Sequence, residues 1–213
     1  MTNKSDSLFK NILRPTVVMV SICIIVTLAL SITNNITSPK ISALNEKHQK
    51  DSMSKLIKAD SYDEATLDTD GNSVTYYRAM LSGAPVGYIF ITSSGGYGGD
   101  VSVMTATDTS GKVTSVAILD VSNETPGLGQ NAAREDFYSQ FIGKNSAVSA
   151  AKHGTASGEN EIDAVTGATI TSKAVTNAVN TAIGYAEKIT EISEMLSDVY
   201  DTSETEATQI EEQ

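Results

Sequence analysis

Between Arg14 and Lys40 the chain runs for 25 residues without a charged side chain. Residues 17–32 of that run are mostly Val, Ile, Leu and Ala. With the polar flank to Ile36, the run can span about 30 Å of hydrocarbon as a helix. Lys4, Lys10 and Arg14 precede it, and Glu46 and Asp51 follow. That asymmetry favours a cytoplasmic N-terminus, with everything after the helix on the far side of the cell membrane. A cleaved signal peptide, with Ala29-Leu30-Ser31 as a small-x-small site, is the alternative. The uncharged run is longer than a usual signal-peptide core, which favours a retained anchor. In either case the remainder is exported.

The expected organisation is a cytoplasmic N-terminus (1–14), a transmembrane anchor (15–37), a polar helical stalk (38–61), a globular domain (62–197) and an acidic, disordered tail (198–213). In the stalk, Leu44, His48, Met53 and Leu56 are the candidate contacts. The formal charge is −11, which excludes nucleic acid as a partner, since that needs a basic patch. From Glu191 to Gln213 there are eight Asp or Glu and no Lys or Arg, so most of the net charge sits in the tail. The one cysteine, Cys23, lies in the apolar run, so intrachain disulfides and cysteine-based metal sites are excluded. His48 and His153 stand far apart without ligand spacing, and surface positions are expected for both.

The globular region begins near Tyr62 or Ser73. Residues 74–81 and 86–91 read as a hairpin around Ser82-Gly83-Ala84-Pro85. Residues 101–107 and 113–119 form a second, turned by Asp108-Thr109-Ser110-Gly111-Lys112. Four strands followed by helices predict an α+β domain with an antiparallel sheet covered on one side. A short amphipathic helix is expected over 132–141, with Phe137, Tyr138 and Phe141 in the core. Residues 144–160 read as loop, with a brief strand at 147–149. In the last helix, 171–194, Ala174, Val175, Ala178, Val179, Ala182, Ile183 and Ala186 recur at spacings of three and four.

Three segments carry the chemistry. The first, Gly96-Tyr97-Gly98-Gly99, lies between the hairpins, where glycines allow backbone conformations closed to other residues; alone it is a flexible loop. The second, Glu124-Thr125-Pro126-Gly127-Leu128-Gly129, contains a Pro-Gly turn signal, which does not explain the residues on either side. The third, Asp163-Ala164-Val165-Thr166-Gly167-Ala168-Thr169-Ile170-Thr171-Ser172, is a small-residue turn running into the last helix. Unpaired N–H groups and the positive end of the helix dipole suit a phosphate there. Gly167 and Ala168 let a ligand approach the backbone, and Thr169 offers a hydroxyl at the mouth. The alternative is that Thr166, Thr169 or Thr171 simply caps the helix. Asp163 is placed to orient Thr166 and the turn, or to cap. Lys173 could neutralise phosphate charge or stand solvated.

Asp-x-x-Thr-Gly-Ala-Thr resembles the flavinylation motif of FMN-binding domains in Rnf and Na⁺-translocating NADH:quinone reductase complexes. Gly-Tyr-Gly-Gly and Glu-Thr-Pro-Gly-Leu-Gly are similar to segments that flank the flavin in the same family, and all three occur in the family's order. The resemblance implies FMN joined through its phosphate to Thr169 by a flavin transferase. It implies other membrane subunits of an Rnf-type complex as partners, and electron carriage between ferredoxin and NAD⁺ coupled to ion translocation. One departure stands out: where the family often has a His two residues before the Glu, this chain has Ser122. The quinone-reductase C subunit, usually with a longer domain, is the close alternative. Two others are an anchored extracellular FMN-binding or sensor module and a structural subunit that is never modified. No catalytic acid–base pair is aimed at a substrate, and electron carriage requires none.

Overall fold

The computed structural model describes residues 4–69 and 71–211, without the side chains of 4–12, 41–43, 45, 46, 48, 72 and 196–211. The surface position expected for His48 therefore lies outside the described residues. The chain divides into two units, Met1–Lys50 and Asp51–Gln213.

Helix α1, Lys4–Leu56, continues through Pro15 and Pro39. Its Leu13–Lys40 stretch is long and apolar enough to cross a membrane. Every side chain of that stretch is exposed. The hydroxyls of Ser21, Thr27 and Thr33 donate to the carbonyls of Val17, Cys23 and Ala29, four residues back. These polar groups are thus satisfied within the helix.

The second unit is built on a five-stranded antiparallel meander in sequential order: β1 (Ser61–Thr69), β2 (Asn72–Leu81), β3 (Ala84–Gly95), β4 (Asp100–Thr107) and β5 (Val113–Asp120). Sequence patterning predicts four strands; β1 is the addition. It pairs with β2 from Ser61↔Met80 to Thr69↔Asn72. Asp63, Glu64 and Asp68 interrupt its alternation, as an edge strand facing water tolerates. The β2–β3 turn places Ser82 (φ 53°) and Gly83 (φ 83°) in the left-handed region, the geometry of a two-residue hairpin loop.

The central strands are buried on both faces, not on one as the pattern predicts. Tyr88 and Phe90 of β3 pack with Ala182, Ala186 and Ile189 of helix α3 (Thr169–Glu211). Thr92 donates to the Ala178 carbonyl at 2.8 Å. The alternate residue Ile89, with Met104 and Ala106 of β4, points the other way. There it meets Met53, with Leu56 and Ile57 beside it, at the end of α1. Two of the four candidate stalk contacts are thus part of the core, while Leu44 is exposed. Alanines 174, 178, 182 and 186 let α3 lie close on the sheet, and all seven residues of its predicted apolar stripe are buried.

The expected helix over 132–141 is broken into a 3₁₀ turn (Gly129–Ala133), α2 (Glu135–Tyr138) and a second 3₁₀ turn (Ser139–Phe141). Arg134 is extended, with φ −81° and ψ 144°, and separates the first two. Phe137 and Phe141 meet edge to face in the core, as expected, at 5.8 Å. Strands β6 (Ser149–Ala151) and β7 (Glu161–Asp163) form a small parallel pair, shifting the expected 147–149 strand by two residues. Beyond Asp198, where composition predicts disorder, the backbone is helical to Glu211. No Gly or Pro follows Gly184 to stop the helix.

Candidate functional site

The three segments meet beside the N-terminus of α3. One cleft of about 560 Å³ is lined by Tyr97, Glu124, Thr125, Leu128, Gly129 and residues 167–171, a size in the range of small-molecule sites.

Glu124 joins the segments. It is only 3% exposed. Its Oε1 accepts the backbone N–H groups of Tyr97 (2.8 Å) and Gly98 (3.1 Å), and its Oε2 accepts the Thr171 hydroxyl at 2.6 Å. A Cβ added at Gly96 would collide with Oε1, and one at Gly129 would lie 2.5 Å from Oε2 and 2.7 Å from Thr171 Oγ1. Neither glycine has a positive φ. Their role is close packing, not the unusual backbone conformation that the cluster suggests. Gly98 and Gly99 face Asn123 in the same way. Gly127 and Gly167 are the two positions that use positive φ (77° and 75°). A Cβ at Gly167 would sit 3.0 Å from Leu128 Cδ2, so the second segment also touches the third.

Thr169 is the first residue of α3 and is exposed. Neither it nor its neighbouring threonines caps the helix. The first intrahelical bond runs from the Ser172 N–H to the Ala168 carbonyl, which puts Ala168 at the cap. Ser172 Oγ locks the turn by accepting the Val165 N–H and donating to the Ala168 carbonyl, both at 2.9 Å. Thr171 is committed to Glu124. Among the described residues no side chain accepts from the N–H groups of Thr169, Ile170 or Thr171, which point from the positive end of the helix. Tyr97, Leu128 and Ile170 are 72%, 43% and 53% exposed beside them. Ile170 lines the cleft although the motif gives it no role; an apolar residue ahead of the buried stripe is its signal.

Asp163 and Thr166 belong elsewhere. They line a separate cleft of about 370 Å³ with Arg134, Gln140 and exposed His153. Asp163 does not orient Thr166: its Oδ1 accepts the N–H groups of Thr155 and Ala156, each at 3.0 Å. Pro126 and Gly127 shape their turn without lining the first cleft, and exposed Lys173 does not line it. Ser122 is also exposed; its N–H donates to Asp120 Oδ1 at 2.8 Å.

The electrostatics favour ionised carboxylates. For Glu124, burial opposes the charge most strongly, but the Thr171 hydroxyl and the N–H groups of Gly98, Tyr97 and Gly99 outweigh it and hold the pKa below 4.5. The Ala156 N–H leads the same effect at Asp163, below 3.8, aided by Thr155, Gly154 and the charge of His153. A depressed folded-state pKa stabilises above the unfolded value and loses that contribution as pH falls through the folded one. The thermal midpoint should therefore hold from pH 7 to about 5 and fall below pH 4.5, measured by calorimetry in a fixed detergent. A flat profile to pH 3 would contradict these contacts.

Residues 96–184 match the FMN-binding domain family; the match starts in the glycine loop and ends inside α3. The family match thus defines an FMN-binding domain on a chain that also carries an apolar helix long enough to cross a membrane. The G subunit of the proton-translocating ferredoxin:NAD⁺ oxidoreductase complex of Clostridium ljungdahlii is 35% identical over 163 residues, 76% of this chain and 84% of that one. The G subunit of the Na⁺-translocating ferredoxin:NAD⁺ oxidoreductase complex of Acetobacterium woodii is 34% identical over 171 residues, 73% and 82%. This chain belongs to the G-subunit family of Rnf-type ion-translocating oxidoreductase complexes. It shares its fold with the C subunit of the Na⁺-translocating NADH-quinone reductase from Parabacteroides distasonis, at 22% identity and a TM-score of 0.52 over 66% of this chain and 81% of that one.

Proposed function

We propose that the protein is the electron-carrying subunit of a membrane-bound, ion-translocating ferredoxin–NAD complex of the Rnf type, with FMN held by a phosphoester on Thr169. The observation that carries the reading is an exposed hydroxyl at the first position of α3, in the wall of a cleft with exposed apolar side chains. The cleft fits the group. The unpaired N–H groups and dipole of α3 suit a phosphate, and Tyr97, Leu128 and Ile170 offer apolar surface to a flat ring. Bound FMN supplies the redox chemistry, and the protein supplies attachment, orientation and electrostatics.

A flavin transferase would form the Thr169 Oγ–P bond while breaking a P–O bond of its flavin donor, with the hydroxyl proton leaving on the departing group. The intact mass should exceed that of the chain by one FMN less one water. A chain without that increment would refute covalent attachment. The basic residues before the apolar helix favour a cytoplasmic N-terminus and an extracytoplasmic domain. On that side a lost FMN could not be replaced from the cytosolic pool, whereas a covalent link retains it. The other subunits of the complex are the proposed partners. Protease added to cells stripped of any wall should reach the domain and spare a tag placed before Lys4; a protected domain would reverse the orientation.

A further inference from the structure

We propose that Glu124 is a positioning residue whose buried carboxylate ties the glycine loop to the first turn of α3 and sets a fixed negative charge in the cleft wall, holding the flavin's midpoint potential down. The inference rests on the cleft being the FMN site. Three features carry it. The carboxylate bridges two segments far apart in sequence, through Tyr97 and Gly98 on one side and Thr171 on the other. Gly96 and Gly129 enclose it so closely that a methyl group at either would collide with it or nearly so. Its partners are backbone amides and a hydroxyl, and among the described residues no cation pairs with it.

Neutral donors stabilise an anion but do not cancel its field. A glutamine could accept the same two N–H groups and exchange a hydrogen bond with the Thr171 hydroxyl, without the cost of burying a charge. What the charge adds to those hydrogen bonds is a field. A fixed anion in the wall disfavours adding electrons to a neighbouring ring.

The test uses the full-length, flavin-loaded protein and a spectroelectrochemical titration at pH 7. Glu124→Gln should raise the midpoint potential and keep the amides of Tyr97 and Gly98 protected from hydrogen exchange. Thr171→Val, which keeps the charge but removes a donor, should lower the potential. A purely structural tie would change the thermal midpoint in either variant and leave the potential alone; an unchanged potential in folded, loaded Glu124→Gln overturns the proposal. If Glu124→Gln fails to fold or to load, Thr171→Val decides, and an unchanged or raised potential there is the refuting result. Absence of flavin from the unsubstituted protein refutes the FMN site itself, a different outcome from any of these.

Discussion

Thr169→Ala should yield a folded protein that has lost the whole flavin mass increment. The side chain is exposed and lines the cleft. Alanine is also a better helix former than threonine, so the change in stability should stay within about 0.5 kcal/mol. The neighbouring threonines are informative controls. Thr166 lines the other cleft, so Thr166→Ala should keep the increment. The Thr171 hydroxyl is buried on Glu124, out of reach of a transferase, so Thr171→Ala should keep at least part of it. Intact mass spectrometry of the three variants reads this directly. An increment that survives Thr169→Ala and disappears in Thr166→Ala would move the attachment to the cleft beside Asp163.

Gly98→Ala should damage the site more than any other one-methyl change in the glycine loop. Its φ is ordinary, so the obstacle is space: the added Cβ would fall on the Asn123 carbonyl, far inside the 3.0 Å that real Cβ atoms keep. That atom is backbone and cannot swing aside. Relief requires the loop to move, and the Gly98 N–H then leaves Glu124. Overpacking costs about 1–3 kcal/mol. A buried carboxylate short of a donor adds about 1–3 kcal/mol, against a total stability of about 5–15 kcal/mol. Gly95→Ala, whose Cβ meets nothing within 4 Å, is the control and should be close to neutral. Thermal midpoints and flavin content of the two variants, measured side by side, check the contrast. Equal behaviour would mean that the loop does not pack on Asn123 as described.

The sequence revealed more of the fold than of the site's internal wiring. The uncharged run, the two hairpins and the apolar stripe of α3 are each written in local periodicity, which burial against one partner enforces. Strand β1 was hidden because an edge strand carrying Asp63, Glu64 and Asp68 needs no clean alternation. The second covered face was hidden for another reason. Met53 lies in a polar stretch with no periodic stripe, and its contacts with Ile89 and Met104 are made far along the chain. In the site, the motifs pick out segments that the structure brings together, but several residues have other partners than their spelling suggests. Glu124 binds backbone N–H groups, which leave no mark in sequence. Asp163 turns to the 154–156 loop for the same kind of contact. Gly96, Gly98 and Gly129 are required by neighbouring atoms, and no pattern of residues announces a steric requirement.

The burial of Met53 also bears on where the chain can be cut. The last turns of α1 form one wall of the domain that follows, so the membrane-side boundary of the folded unit lies upstream of the first strand. A fragment starting at Ser61 would leave Ile89, Met104 and Ala106 uncovered, and two such surfaces would find each other. One starting at Asp51 retains its own lid and should remain a monomer in detergent-free buffer.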